Sequence, residues 1–91
     1  AKGNEVVFGY GGNDSIDASG GTGGNTLYGG QGNDTMIGST KDLIFGDKGN
    51  DLLLAGKACT LNGGLGNDYI NASTGAGGNV LYGGQDNDTI I

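Results

Sequence analysis

The stretch Gly29-Gly30-Gln31-Gly32-Asn33-Asp34-Thr35-Met36-Ile37 decides how this chain folds. It reads as two glycines, a spacer, a third glycine, Asn-Asp, and three strand-like residues around an apolar centre. The same order returns at Gly63-Gly64-Leu65-Gly66-Asn67-Asp68-Tyr69-Ile70-Asn71. With one substitution each it returns at 9–17 (Tyr10 for the second glycine), 46–54 (Asp47 for the second glycine) and 83–91 (Asp86 for the third). Five copies in 91 residues make the period the first thing to explain.

Working outward, apolar-centred triplets also lie between the copies. The centres Val7, Ile16, Leu27, Met36, Ile44, Leu53, Leu61, Ile70, Leu81 and Ile90 are spaced 9, 11, 9, 8, 9, 8, 9, 11 and 9 apart. No helical period fits that series. Ten three-residue strands joined by Gly-rich turns do fit it, in a coil whose every turn takes two strands and two loops. Residues 18–37 laid over 72–91 match at 15 of 20 positions, so whole coils are duplicated. Ala18-Ser19 and Ala72-Ser73 account for the two longer spacings.

The loops alternate in kind. One edge carries Asp14, Asp34, Asp51, Asp68 and Asp88 at equivalent places, whereas the other reads Glu5, Asn25, Asp42, Cys59 and Asn79. One edge is regular and acidic, the other degenerate. The chain starts and stops inside the repeat with no capping element. Residues 1–91 are therefore expected to be a single solenoid segment excised from a longer array, with the rest of the parent chain as a neighbour.

Composition narrows the function classes. Twenty-three glycines, no Trp, no Pro and 34% hydrophobic residues leave little for a core. Disordered Gly-rich chains lack periodic Val, Ile and Leu, and collagen needs glycine at every third place. A net charge of -6 with only four lysines argues for cations and against nucleic acid. One cysteine excludes an intrachain disulfide, and no apolar run suits a membrane span. The N-terminus has no signal-peptide layout. No His, and no carboxylate pair outside the acidic edge, leaves catalysis without a candidate, so no enzyme is expected.

The Gly-Asn-Asp copies resemble the RTX family, nonapeptide repeats of secreted bacterial toxins, proteases and adhesins. That resemblance implies an all-β, right-handed parallel β-roll, or β-solenoid, of about five coils with two short strands each. It also implies bound calcium and export by type I secretion to the medium or cell surface.

Physical chemistry reaches a similar place. Parallel strands stack about 4.8 Å apart, so the five aspartates form a column at that spacing. Two carboxylates so placed repel by roughly 0.9 kcal/mol in water, and by several times that at an effective dielectric near 20. The column wants cations between its rungs. Glycines at the first, second and fourth loop positions are expected to permit left-handed backbone and turn carbonyls inward. Carboxylates with carbonyls suit calcium better than magnesium or zinc.

By the resemblance, one loop gives its first and third carbonyls and its Asp, and the loop one coil on gives its second and fourth carbonyls and its Asp. Carried over, the first site takes Gly9, Gly11 and Asp14 with Gly30, Gly32 and Asp34. The second takes Gly29, Gln31 and Asp34 with Asp47, Gly49 and Asp51. The third takes Gly46, Lys48 and Asp51 with Gly64, Gly66 and Asp68. The fourth takes Gly63, Leu65 and Asp68 with Gly84, Asp86 and Asp88, and Gly83 opens that last loop. About four shared calcium ions follow. Tyr10 and Asp47 must serve where glycine is usual, and Asp86 must accept a glycine-like conformation. Neutral Asn25, Cys59 and Asn79 argue against ions on the other edge.

The expected function is thus a calcium-binding structural module of a secreted bacterial protein that folds on meeting calcium outside the cell. The alternative is an adhesion or ligand-binding roll. Phe8, Tyr28, Phe45, Asn62 and Tyr82 fall in one outward column, which could serve carbohydrate, a partner protein or self-association, or simply stabilise the sheet as a cross-strand ladder. Ice binding fits less well, because the third loop position reads Gly11, Gln31, Lys48, Leu65 and Gln85 instead of a threonine column.

Overall fold

A triplet with an apolar centre buries one side chain and turns its two flanks outward, because successive residues of a strand point to opposite faces. The computed structural model describes residues 4–20, 22–72 and 77–91, and shows ten such strands among them. They are β1 (Val6–Phe8), β2 (Ser15–Asp17), β3 (Thr26–Tyr28), β4 (Thr35–Ile37) and β5 (Leu43–Phe45). The second half adds β6 (Leu52–Leu54), β7 (Thr60–Asn62), β8 (Tyr69–Asn71), β9 (Val80–Tyr82) and β10 (Thr89–Ile90). These are the ten triplets read from the sequence, except that Ile91 lies beyond β10. Its N–H still bonds the carbonyl of Ile70, 2.9 Å away.

Odd strands form one sheet in the order β1-β3-β5-β7-β9, and even strands the other, β2-β4-β6-β8-β10. Every pairing is parallel and in register at the apolar centres: Val7 beside Leu27, Leu27 beside Ile44, Ile16 beside Met36, Met36 beside Leu53. The chain is an all-β solenoid of about five turns. Its thinnest dimension, 15 Å, is that of two sheets face to face with one layer of side chains between them.

That layer is the core. Leu27, Met36, Ile44, Leu53, Leu61 and Ile70 are wholly buried and Ile16 nearly so; Ala18, Ala55 and Cys59 extend the layer into the turns. The sequence promised ten inward centres, and the structure buries seven. Val7 and Leu81 are half-buried and Ile90 is 47% exposed, because the first and last turns are covered from one side only.

Turn length varies without disturbing register. The loop after β2 is three residues longer than those after β4 and β6, and the surplus goes outward at exposed Ser19, Gly20 and Thr22. Asp17 starts this bulge by accepting the Ser19 N–H (2.8 Å) and hydroxyl (2.5 Å). Of the second longer turn, residues 73–76, including Ser73 of the Ala72-Ser73 pair and Thr74, lie outside the described residues, as do residues 1–3 of the first degenerate loop.

Candidate metal centre

Each loop of the acidic edge has six residues. The second and fourth hold φ in the left-handed region, as expected. Gly30 (85°) and Gly32 (99°) do so readily; Tyr10 (68°), Asp47 (69°) and Asp86 (74°) adopt the same conformation against their side chains' preference. The first position corrects the sequence reading. None of Gly9, Gly29, Gly46, Gly63 and Gly83 has a positive φ, so glycine stands there for lack of room. A Cβ on Gly9 would lie 2.6 Å from Asp14 Oδ2 and 2.7 Å from the Gly29 carbonyl oxygen. One on Gly29 would lie 2.6 Å from Asp34 Oδ2 and 2.9 Å from the Gly46 oxygen. Gly46 and Gly63 repeat the arrangement with Asp51 Oδ2 and Gly63 O, then with Asp68 Oδ2 and Gly83 O. At each rung a Cβ would therefore crowd both an acid oxygen and the first carbonyl of the next coil.

The two oxygens of each carboxylate live differently. The Oδ1 atoms of Asp34, Asp51, Asp68 and Asp88 accept the backbone N–H of Asp14, Asp34, Asp51 and Asp68, at 2.8, 2.8, 2.8 and 2.9 Å. The Oδ2 atoms of Asp14, Asp34, Asp51 and Asp68 are buried without any hydrogen-bond partner. A buried carboxylate oxygen left bare costs well over a kcal/mol, so its repetition down a column marks a missing positive group.

Electrostatics agrees. Burial, opposed by the ladder N–H and reinforced by like-charged neighbours, pushes the Asp51 carboxyl up to about 7 and that of Asp68 to about 6. Asp34 is raised for the same reasons. Without a cation these acids resist ionising.

The donor set fits one class of ion. Among the described residues no three His, Cys, Asp or Glu side chains converge, so a soft or transition metal lacks its usual ligands. Two carboxylates per rung with backbone carbonyls suit a hard cation that takes six to eight oxygens at about 2.3–2.6 Å. The second-position carbonyls of Tyr10, Gly30, Asp47 and Gly64 each accept an N–H from the third residue of the next loop (2.7, 3.1, 2.7 and 3.0 Å), which leaves each one further lone pair. The third-position side chains of Gln31, Lys48, Leu65 and Gln85 point elsewhere and line a groove of about 500 Å³ on the outer rim.

Among the described residues the opposite edge keeps three rungs of the ladder and has no bare carboxylate oxygen. Asn25 N–H bonds Asp42 Oδ1 (2.7 Å), Glu5 N–H bonds Asn25 Oδ1 (3.1 Å) and Cys59 N–H bonds Asn79 Oδ1 (2.8 Å). Asp42 Oδ2 is taken by the N–H and hydroxyl of Ser39, at 2.6 and 2.9 Å. Asn79 Nδ2 donates to the Gly56 carbonyl (3.2 Å), and the Cys59 thiol lies 3.6 Å from the Ser39 carbonyl. Asn25 Nδ2 is buried without a partner, and it is a donor, not an acceptor. An amide reproduces the acceptor that the ladder needs but not the charge that an ion needs.

With repeated bare acid oxygens facing carbonyls on one edge, comparison with known families becomes decisive. The family model for the RTX calcium-binding nonapeptide repeat matches four times, over residues 2–22, 17–40, 60–76 and 72–91. The chain belongs to that family. RTX repeats bind calcium, and the family is a structural calcium-binding module typical of secreted bacterial proteins. Neither the curated proteins nor the solved structures gave a significant match. Residues 41–59 fall outside the four matches, yet β5 and β6 continue the RTX register there without a break.

One feature of this RTX edge went unread in the sequence. Asn13, Asn33, Asn50, Asn67 and Asn87 precede the five aspartates and build a second ladder. The N–H groups of Asn33, Asn50, Asn67 and Asn87 donate to the Oδ1 atoms of Asn13, Asn33, Asn50 and Asn67, at 2.8, 2.8, 2.7 and 2.9 Å. It runs in the opposite sense to the Asp ladder, so adjacent loops are clasped in both directions. Five Asn-Asp pairs were the available signal.

The aromatic column is in part a stack. Rings of Phe8 and Tyr28 lie 4.9 Å apart at 6°, and those of Tyr28 and Phe45 5.1 Å apart at 9°; Tyr10 joins at 5.7 Å from Phe8. Tyr28 has a ring on either side, so the faces on which a sugar would rest are covered there.

Proposed function

We propose that the acidic edge holds about four calcium ions, one between each pair of successive loops: Asp14/Asp34, Asp34/Asp51, Asp51/Asp68 and Asp68/Asp88. The carboxylates supply charge, the loop carbonyls fill the oxygen shell, and Gly9, Gly29, Gly46 and Gly63 keep the space open. The single observation that supports this is the run of buried, partnerless Oδ2 atoms, each beside a first-position glycine where a Cβ would crowd it and a carbonyl of the next coil. Bound calcium would supply the positive charge that lets neighbouring carboxylates ionise together.

The ion is then part of the fold. A core one side chain thick carries a glycine-rich backbone that is costly to order, and the bare acid column opposes winding further. Calcium therefore tips the chain from largely unfolded, in the low calcium of a bacterial cytoplasm, to wound in millimolar extracellular calcium. We read it as a folding-on-export module of a secreted or surface protein. Circular dichroism in chelator and in millimolar calcium tests this. Strand signal should rise with calcium and return to baseline on chelation, and identical spectra in both conditions would refute it.

A further inference from the structure

The aromatic column is interrupted at one rung. Phe45 pairs directly with Asn62, and Asn62 directly with Tyr82, across three adjacent parallel strands. Phe45 and Tyr82 therefore stand two strand spacings apart, about 9.6 Å. Each completed step of the stack takes 4.9–5.1 Å between ring centroids. The gap is one ring deep. Asn62 carries no ring to fill it, and its Oδ1 reaches forward along the chain to accept the Gly64 N–H, 3.0 Å away. Tyr82 is 55% exposed, so the gap opens to solvent.

We propose that this gap is a binding slot for a single planar aromatic ring, inserted between Phe45 and Tyr82 as the absent rung of the ladder. Two aromatic side chains in one column at that separation favour a flat π-system over an aliphatic or sugar group. The Asn62 side chain is committed through its oxygen, and its amide N–H₂ is the polar donor that this rung carries. The ligand that satisfies both demands is a neutral phenolic ring, whose oxygen accepts from Asn62. The net charge of -6 disfavours an anionic aromatic acid. A phenolic ring can come from a small phenol or from a tyrosine side chain of a peptide. The slot lies on the outward face of the odd-strand sheet and adjoins the acidic edge through the Asn62–Gly64 hydrogen bond, so it is tested on the calcium-loaded chain.

The test is NMR titration of the calcium-loaded chain, its fold verified by circular dichroism, with p-cresol in one arm and the peptide Gly-Tyr-Gly in the other. Ring protons of the bound probe should move upfield, and the Asn62 side-chain amide should shift saturably with a Kd on the order of millimolar, as two stacking contacts imply. Asn62→Ala should retain the ring-current shift and weaken binding. Asn62→Tyr should complete the ladder, raise Tm and abolish binding. A response to both probes supports a slot for any phenol, and a response to the peptide alone supports a slot for tyrosine side chains. No response from either probe on folded protein, or a response that survives Asn62→Tyr, overturns the proposal.

Discussion

The backbone N–H of Asp34 donates to Oδ1 of Asp51 at 2.8 Å, while Oδ2 of the same Asp51 carboxylate is buried with nothing to accept. One side chain thus does two separable jobs: it clasps the previous coil and it contributes a bare negative oxygen. Asn79 shows how they come apart, since its amide keeps the clasp and donates its other end to the Gly56 carbonyl.

Asp51→Asn should accordingly keep the ladder and lose the charge. In chelator at neutral pH the variant should hold more strand structure than the parent, whereas calorimetric titration should count about two fewer calcium ions. Asp51→Ala loses both jobs and should cost about 1–3 kcal/mol of calcium-loaded stability from the unpaired Asp34 N–H alone. Asp14→Ala, at the end of the column, should remove only about one ion. Equal losses at Asp14 and Asp51 would contradict ligand sharing between successive loops.

Gly29→Ala separates space from conformation. Gly29 has no left-handed φ to defend, so alanine is tolerable to the backbone itself. Its Cβ, however, would sit 2.6 Å from Asp34 Oδ2 and 2.9 Å from the Gly46 oxygen, where the proposed ion belongs. The expected outcome is loss of about one ion, with the remaining sites still titrating. Terbium or calcium stoichiometry by titration reads this directly; a full complement of ions in Gly29→Ala would show that the space serves something else.

The raised acids set a pH dependence whose sign differs between the two forms. Asp51, near 7, and Asp68, near 6, hold protons in the ion-free wound state that the unfolded chain has already released. Between about pH 4 and pH 7 the wound state binds more protons, so ion-free stability is greatest in acid and falls as pH rises through that window. Calcium requires the ionised acids, so its apparent affinity should rise over the same range with release of protons. Calorimetry at pH 5.5 and 7.5, in buffers of different ionisation enthalpy, should give tighter binding at the higher pH and proton release on binding. A flat profile would place the calcium away from Asp51 and Asp68.

Much of this was legible in the sequence because it rests on short-range signals. Apolar centres and Gly-rich turns located every strand, and the left-handed positions at the second and fourth loop places, including Asp86, followed from glycine's usual role there. What stayed hidden depends on the third dimension. That Gly29 answers a carboxylate oxygen and the carbonyl of Gly46, and not its own φ, shows only once the coils are stacked. The opposed Asn and Asp ladders likewise depend on which amide each Oδ1 reaches. Ile90 has the pattern of a core residue, but its exposure is decided by whether a neighbouring turn covers it.

The degenerate edge offers the last prediction, because its ladder lacks one rung. Asn25 N–H reaches Asp42 Oδ1 and Cys59 N–H reaches Asn79 Oδ1, but at Cys59 there is no side-chain oxygen for the Asp42 N–H between them. The thiol instead faces the Ser39 and Lys57 carbonyls at 3.6 and 3.7 Å, long and weak contacts. Cys59→Asn would supply the acceptor in the form this edge already uses at residues 25 and 79, and its N–H₂ could take over the thiol's carbonyls. The gain from one buried hydrogen bond is about 1 kcal/mol, or a rise of about 4–8 °C in Tm for a domain this small. The site is fully buried and closely packed, since a Cβ on Gly38 would lie 3.3 Å from the sulfur and 2.8 Å from Ile44 Cδ1, so packing the larger amide works against this gain. Calcium stoichiometry should not change, because no bare oxygen is added. Cys59→Ala, which removes the thiol without restoring the rung, should be less stable than the parent. If Cys59→Asn proves less stable than Cys59→Ala, the ladder contributes little on this edge, and the packing of the thiol is what the turn requires.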